Sequence, residues 1–205
     1  MNLENKTEKV TDQVVGVCET LCMQHEICIQ MLEGKHYQTL YKVIKKEQQI
    51  ARMSESIHSS IKGLLPVMQK TSLHTRRLQV SDRIIDELIE IKGNARMVAA
   101  FANRCKDADA RLYAKQMETQ LIKVLRRATD VYQDGGFLTE KEMFPQLDEL
   151  EEALQLFYAE VGQSELKQNL IESMKKTLAC IHNICMEIQY LYTGKKDVII
   201  SSLLE

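Results

Sequence analysis

Apolar residues in this chain recur at a period of three to four over stretches of about 20 to 30 residues, and that long helical periodicity is its strongest constraint. Val10, Val14, Val17, Leu21, Ile27 and Met31 mark a first helix over roughly 5–33, with Gly34 as its stop. Leu40, Val43, Ile44, Ile50, Met53, Ile57, Ile61 and Leu64 mark a second, over 37–65, which Pro66 bounds. Residues 69–80 are polar and read as mixed loop and helix. Ser81-Asp82 then caps a third helix to Lys106, striped by Ile84, Ile85, Leu88, Ile91, Met97, Val98 and Phe101. A fourth runs over 107–134 through Leu112, Met117, Leu121, Val124, Leu125, Ala128 and Val131 to Gly135-Gly136. Thr139-x-x-Glu142 opens a fifth, broken by Gly162. Ser164 caps a sixth that Gly194 stops, and residues 197–205 form a short tail. No stretch alternates with period two.

The expectation is an all-α fold of six long helices, arranged as two antiparallel three-helix bundles side by side. The first repeat spans 1–106 and the second 107–205, with short loops making sequential helices antiparallel. Two prolines, eight glycines and no tryptophan in 205 residues point away from turn-rich β-architectures.

Charge narrows the function. Lys and Arg number 27 against 29 Asp and Glu, a net charge of −2, so the basic surplus of a general nucleic-acid binder is missing. No apolar run approaches the roughly 18 residues of a membrane span, and the start is polar, so neither span nor signal peptide is expected. Without a secretory signal, the six cysteines are expected as reduced thiols in a cytosol rather than as a disulfide framework.

Cysteine and histidine offer the most chemistry. Cys18, Cys22 and His25 share one helical face, with Cys28 beyond, while Cys180, His182 and Cys185 sit near the other end of the chain. Brought together, Cys18, Cys22, His25, Cys180 and Cys185 could form a thiolate–imidazole site for zinc or copper. Core packing is the favoured alternative, because cysteine is a small, readily buried apolar side chain. Glu33-x-x-His36 and Glu55-x-x-His58 each resemble half of a di-iron signature but lack inward partner carboxylates, so solvent exposure is expected. The methionines spread over every helix as core fillers. The pairs Lys45-Lys46, Arg76-Arg77 and Arg126-Arg127 read as solvated surface. No nucleophile–base constellation, phosphate loop or nucleophile elbow is present, so no enzyme is expected and no cofactor is called for.

The segment Asn183-Ile184-Cys185-Met186-Glu187-Ile188-Gln189-Tyr190-Leu191-Tyr192-Thr193-Gly194-Lys195 resembles the last helix of PhoU-domain proteins. Val14 to Met31, Glu33-Gly34-Lys35 and the Val43 to Ile57 stripe resemble the paired first helices of a PhoU repeat. Leu88-Ile89-Glu90-Ile91-Lys92-Gly93-Asn94-Ala95 resembles a worn form of the family's Glu-Arg-Ile-Gly-Asp segment. The resemblance covers nearly the whole chain and implies the three-plus-three layout.

It also implies a role in phosphate homeostasis, by contact with a phosphate transporter or its membrane domain, or with a sensor kinase. A homo-oligomer and a cytoplasmic location are expected, with the inner face of the membrane as the alternative place. The cytosolic C-terminal domain of a sodium–phosphate cotransporter is the second reading; a Cys/His metal-binding bundle or a scaffold unrelated to phosphate are further alternatives. Family members that bind metal clusters use Glu-x-x-x-Asp pairs. Here the first pair falls on Glu90 and Asn94, and the second near Lys175 and Ala179, so those clusters are expected to be absent or crippled.

Overall fold

The computed structural model describes residues 3–35, 39–68, 72–134, 140–160 and 164–194, with only the backbone for 140–143 and 160. Six helices account for almost all of them: α1 (Leu3–Leu32), α2 (Leu40–Leu64), α3 (Leu73–Arg104), α4 (Ala108–Asp134), α5 (Glu140–Glu160) and α6 (Glu165–Thr193). A 3-10 turn, Leu65–Val67, follows α2 with Pro66 in it. Among the described residues there is no strand, and no helix is long and apolar enough to cross a membrane.

Each helix ends where its chemistry requires. Gly34, at φ 80°, takes the left-handed conformation just past α1, and its N–H bonds the Met31 carbonyl. Gly194, at φ 70°, does the same past α6, donating to Tyr190. α3 starts nine residues earlier than its pattern suggests. Ser72, not Ser81, is the cap: its Oγ accepts from the Thr75 N–H at 3.1 Å. Ser81 lies inside the helix, with Oγ 2.6 Å from both the Arg77 carbonyl and Tyr132 Oη. The polar residues of 72–81 obscured a helix because Thr75, Leu78, Val80 and Ser81 are its buried face. The expected capping box at Thr139-x-x-Glu142, the Gly135-Gly136 and Gly162 breaks and the tail lie outside the described residues.

α2 packs on α1 and α3, and α5 on α4 and α6. The inner helices then meet across the middle, α1 against α4 and α3 against α6, giving two three-helix bundles side by side. Val14, Val17, Leu21, Ile57, Ile85, Leu88, Leu121, Leu154 and Ile188 are each at most 1% exposed. Burying each such side chain stabilises the fold by about 1.5–3 kcal/mol. Among the expected core residues, Leu112 is 52% and Met23 47% exposed.

Polar groups tie the bundle together at depth. Gln24 is fully buried on α1, and its Nε2 donates to the Val43 carbonyl of α2 and the Lys92 carbonyl of α3, each at 3.2 Å. Arg111 in the first turn of α4 donates to the Met31, Leu32 and Ala102 carbonyls at 2.6–3.0 Å. One guanidinium thus closes the carbonyl ends of both α1 and α3.

Candidate functional site

The seam between α3 and α6 carries the residues that the Glu-x-x-x-Asp comparison singles out. From one end, Arg83 pairs with Glu187 at 2.7 Å, and Asn183 Nδ2 donates to Glu87 Oε1 at 3.0 Å. Cys180 lies beside Glu87 and Glu90; burial, with those carboxylates, pushes its thiol up to about 12. Asn94 Nδ2 donates to Thr177 Oγ1 at 3.0 Å, and Ser173 Oγ donates to the Asn94 carbonyl at 3.2 Å.

This donor set does not suit a hard cation. Asn94 offers one neutral amide oxygen where a carboxylate is needed, while its nitrogen donates to Thr177 Oγ1. On α6, Lys175 places its ammonium over the Tyr158 ring at 5.6 Å, and Ala179 has no ligating atom. Among the described residues no three His, Cys, Asp or Glu side chains converge to hold a metal ion. What the seam offers is neutral and ionic hydrogen bonding between two helices, which fixes their register.

The cysteine-rich face of α1 points at α4 rather than at α6's thiols. Cys18 Sγ lies 2.8 Å from Thr129 Oγ1. The Cys22 thiol accepts from Cys18, and this bond, with Arg126 and His25 nearby, holds it below its ordinary value against the opposing effect of burial. The same bond, together with burial, holds Cys18 well above it. His25 Nδ1 is 2.7 Å from Glu118 Oε2, with both side chains buried. Cys28 donates to the Ala95 carbonyl on α3, and burial raises its thiol. Cys185 is buried and pushed up to about 12, while His182 meets Phe144 edge-on at 5.4 Å. The five-residue thiolate–imidazole set is therefore divided between the α1–α4 and α3–α6 contacts, as the helix order dictates.

Other surface expectations change in three dimensions. His58 is only partly exposed: Nδ1 lies 2.7 Å from Asp82 Oδ1 and Nε2 3.5 Å from Asp86 Oδ1, joining α2 to α3. Its companion Glu55 is exposed, and His36 of the other motif lies outside the described residues. Arg76 donates to the Leu191 carbonyl and Arg77 to Tyr192 Oη, so this dibasic step pins the start of α3 to the end of α6. Arg126 pairs with Glu26 across α1 and α4.

A groove of about 1200 Å³ runs along α1, α4 and α5, with Lys115, Lys123, Arg127, Asp130 and Glu149 on its walls. Both charge signs alternate along it, and Lys115 is already paired with Glu33 at 2.8 Å. Among the described residues that line it, none is a nucleophile held by a base, the geometry that acyl or phosphoryl transfer would need. Sequence reasoning missed Glu118 and Gln24, because a lone polar residue on an apolar stripe carries no signal until its partner helix is placed.

No protein-family model and no curated protein matches the sequence. Solved structures do match. The crystal structure of PhoU from Pseudomonas aeruginosa superposes with a TM-score of 0.78 at 14% identity, over 95% of this chain and 100% of that one. That of the phosphate transport system regulatory protein PhoU from Streptococcus pneumoniae gives 0.74 at 13% identity, over 95% and 98%. The order, length and packing of all six helices are thus those of a PhoU-like fold.

Proposed function

We propose that this chain is a non-catalytic regulatory domain of phosphate transport, working by contact of its helical faces with a phosphate transporter or a sensor kinase. The observation that carries the reading is end-to-end likeness to two PhoU structures, one of them the phosphate transport system regulatory protein PhoU of Streptococcus pneumoniae. We take 1–106 and 107–205 as the two repeats, in line with α2 packing on α1 and α3 and α5 on α4 and α6. Its place would be the cytoplasm, at the inner face of the membrane when the partner is engaged.

In this reading the chain works without carboxylate-held metal clusters. Asn94 bonded to Thr177 and Lys175 over Tyr158 support that, since neither position supplies an anionic oxygen.

Deleting the gene in its own cells and following phosphate uptake and the phosphate-starvation response tests the role. Raised uptake or a constitutive response is expected. Unchanged uptake together with an unchanged response overturns it. Elemental analysis of untagged protein tests the metal statement; stoichiometric iron, zinc or manganese would refute it.

A further inference from the structure

Cys18 and Cys22 stand one turn apart on the side of α1 that faces α4, and both line one groove between the two helices. Opposite them, Arg126 pairs with Glu26 and lines the same groove as Cys22, and Thr129, one turn further along α4, touches Cys18. A groove of about 450 Å³ between the two helices reaches both cysteines, with Glu19, Met23 and Asp130 at its edges. Each cysteine is only 2% exposed, so the groove admits an ion and excludes bulky thiol reagents.

We propose that Cys18 and Cys22 form a two-coordinate site for a soft monovalent cation of the copper(I) class, entered from the α1–α4 groove. It goes beyond the phosphate reading and does not depend on it.

Three considerations select this chemistry. Residues at i and i+4 of a helix hold their Cβ atoms about 5–6 Å apart. A disulfide needs about 3.5–4.5 Å, so a regular α1 keeps the pair reduced while leaving room for an ion between the sulfurs. Thiolates prefer soft ions, copper(I) among them. Zinc would require four ligands, and among the described residues no third His, Cys, Asp or Glu converges here.

Charge also closes. Copper(I) binding to the two thiols releases two protons to solvent and leaves a bis-thiolate complex with one negative charge; no electron is transferred. Arg126, which shares the groove with Cys18 and Cys22, supplies the opposing charge.

The test is an anaerobic titration of the reduced full chain against copper(I) held as its bicinchoninate complex. Withdrawal of a single ion per chain is expected, lost in C18A/C22A and kept in C180A/C185A, with circular dichroism checking that each variant is folded. R126Q should bind roughly tenfold more weakly, the scale of one lost charge contact near the surface. Failure to withdraw copper, or withdrawal that C18A/C22A leaves unchanged, overturns the site. Should C18A/C22A not fold, wild-type crystals grown with silver(I) decide by anomalous scattering: a peak between the two sulfurs supports the site, and a peak elsewhere or none refutes it.

Discussion

His25 Nδ1 sits 2.7 Å from Glu118 Oε2 where the two side chains are 2% and 1% exposed, joining a helix of the first three to a helix of the second three. Burial disfavours the imidazolium, but the Glu118 charge and hydrogen bond outweigh it, and the His25 pKa is raised above its ordinary 6.5. A raised folded value means the pair contributes its full stability below about pH 6.5 and loses it as pH rises through the folded pKa. Urea unfolding of the wild type should therefore show stability falling as pH rises above about 6.5. In Glu118→Gln that fall should flatten; an equal slope in both proteins would sink the assignment. Glu118→Ala should destabilise by about 3–5 kcal/mol, because it leaves a buried imidazole without its partner.

Arg111 closes two helix ends with one side chain, donating to Met31 and Leu32 of α1 and to Ala102 of α3. Arg111→Ala should cost on the order of 2–4 kcal/mol, as hydrogen bonds from a charged group are lost and partly buried carbonyls are left open. Arg111→Lys should recover only part, since an ammonium cannot span the same carbonyls. Chemical denaturation of the three proteins measures both effects. Equal midpoints for Lys and Arg would show that charge alone suffices.

Gly194 is left-handed at φ 70°, and a Cβ there would come within 2.9 Å of an Arg76 guanidinium nitrogen. The arginine end can swing aside, so the backbone cost dominates, about 1–2 kcal/mol for Gly194→Ala. Gly93 has open space around it and sits mid-α3, so Gly93→Ala should instead stabilise by roughly 0.5–1 kcal/mol. Thermal unfolding should move in opposite directions for the two substitutions.

Tyr132, 1% exposed, places its hydroxyl 2.6 Å from Ser81 Oγ, and burial raises its pKa. Tyr132→Phe removes that bond without altering the ring, and Ser81 keeps its bond to the Arg77 carbonyl. A loss of about 1 kcal/mol is expected. A much larger loss in urea unfolding would mean that the hydroxyl supports more of the α3–α4 junction than this bond.

Helix number and type were legible in the chain itself, and so were the helix ends apart from the start of α3. Local spacing of Val14, Ile57 or Leu121 reports which face of a helix will be dry, and Gly34 or Gly194 marks where a left-handed residue is needed. Residues 72–81 were misjudged because Arg76 and Arg77 look solvated until α6 offers Leu191 and Tyr192 to them. The same limit hid His58, which only Asp82 and Asp86 of α3 make a partner.

The sequence by itself thus determined an all-α chain, and its similarity to PhoU repeats pointed to the packing of the six helices. Tertiary structure alone decided which polar side chains meet: His25 with Glu118, Asn94 with Thr177, Arg111 with two helix ends, Cys18 with Thr129. The reason is physical. Periodicity is set by 3.6 residues per turn within one helix, whereas a hydrogen bond between helices depends on rotation and register fixed only when two surfaces pack.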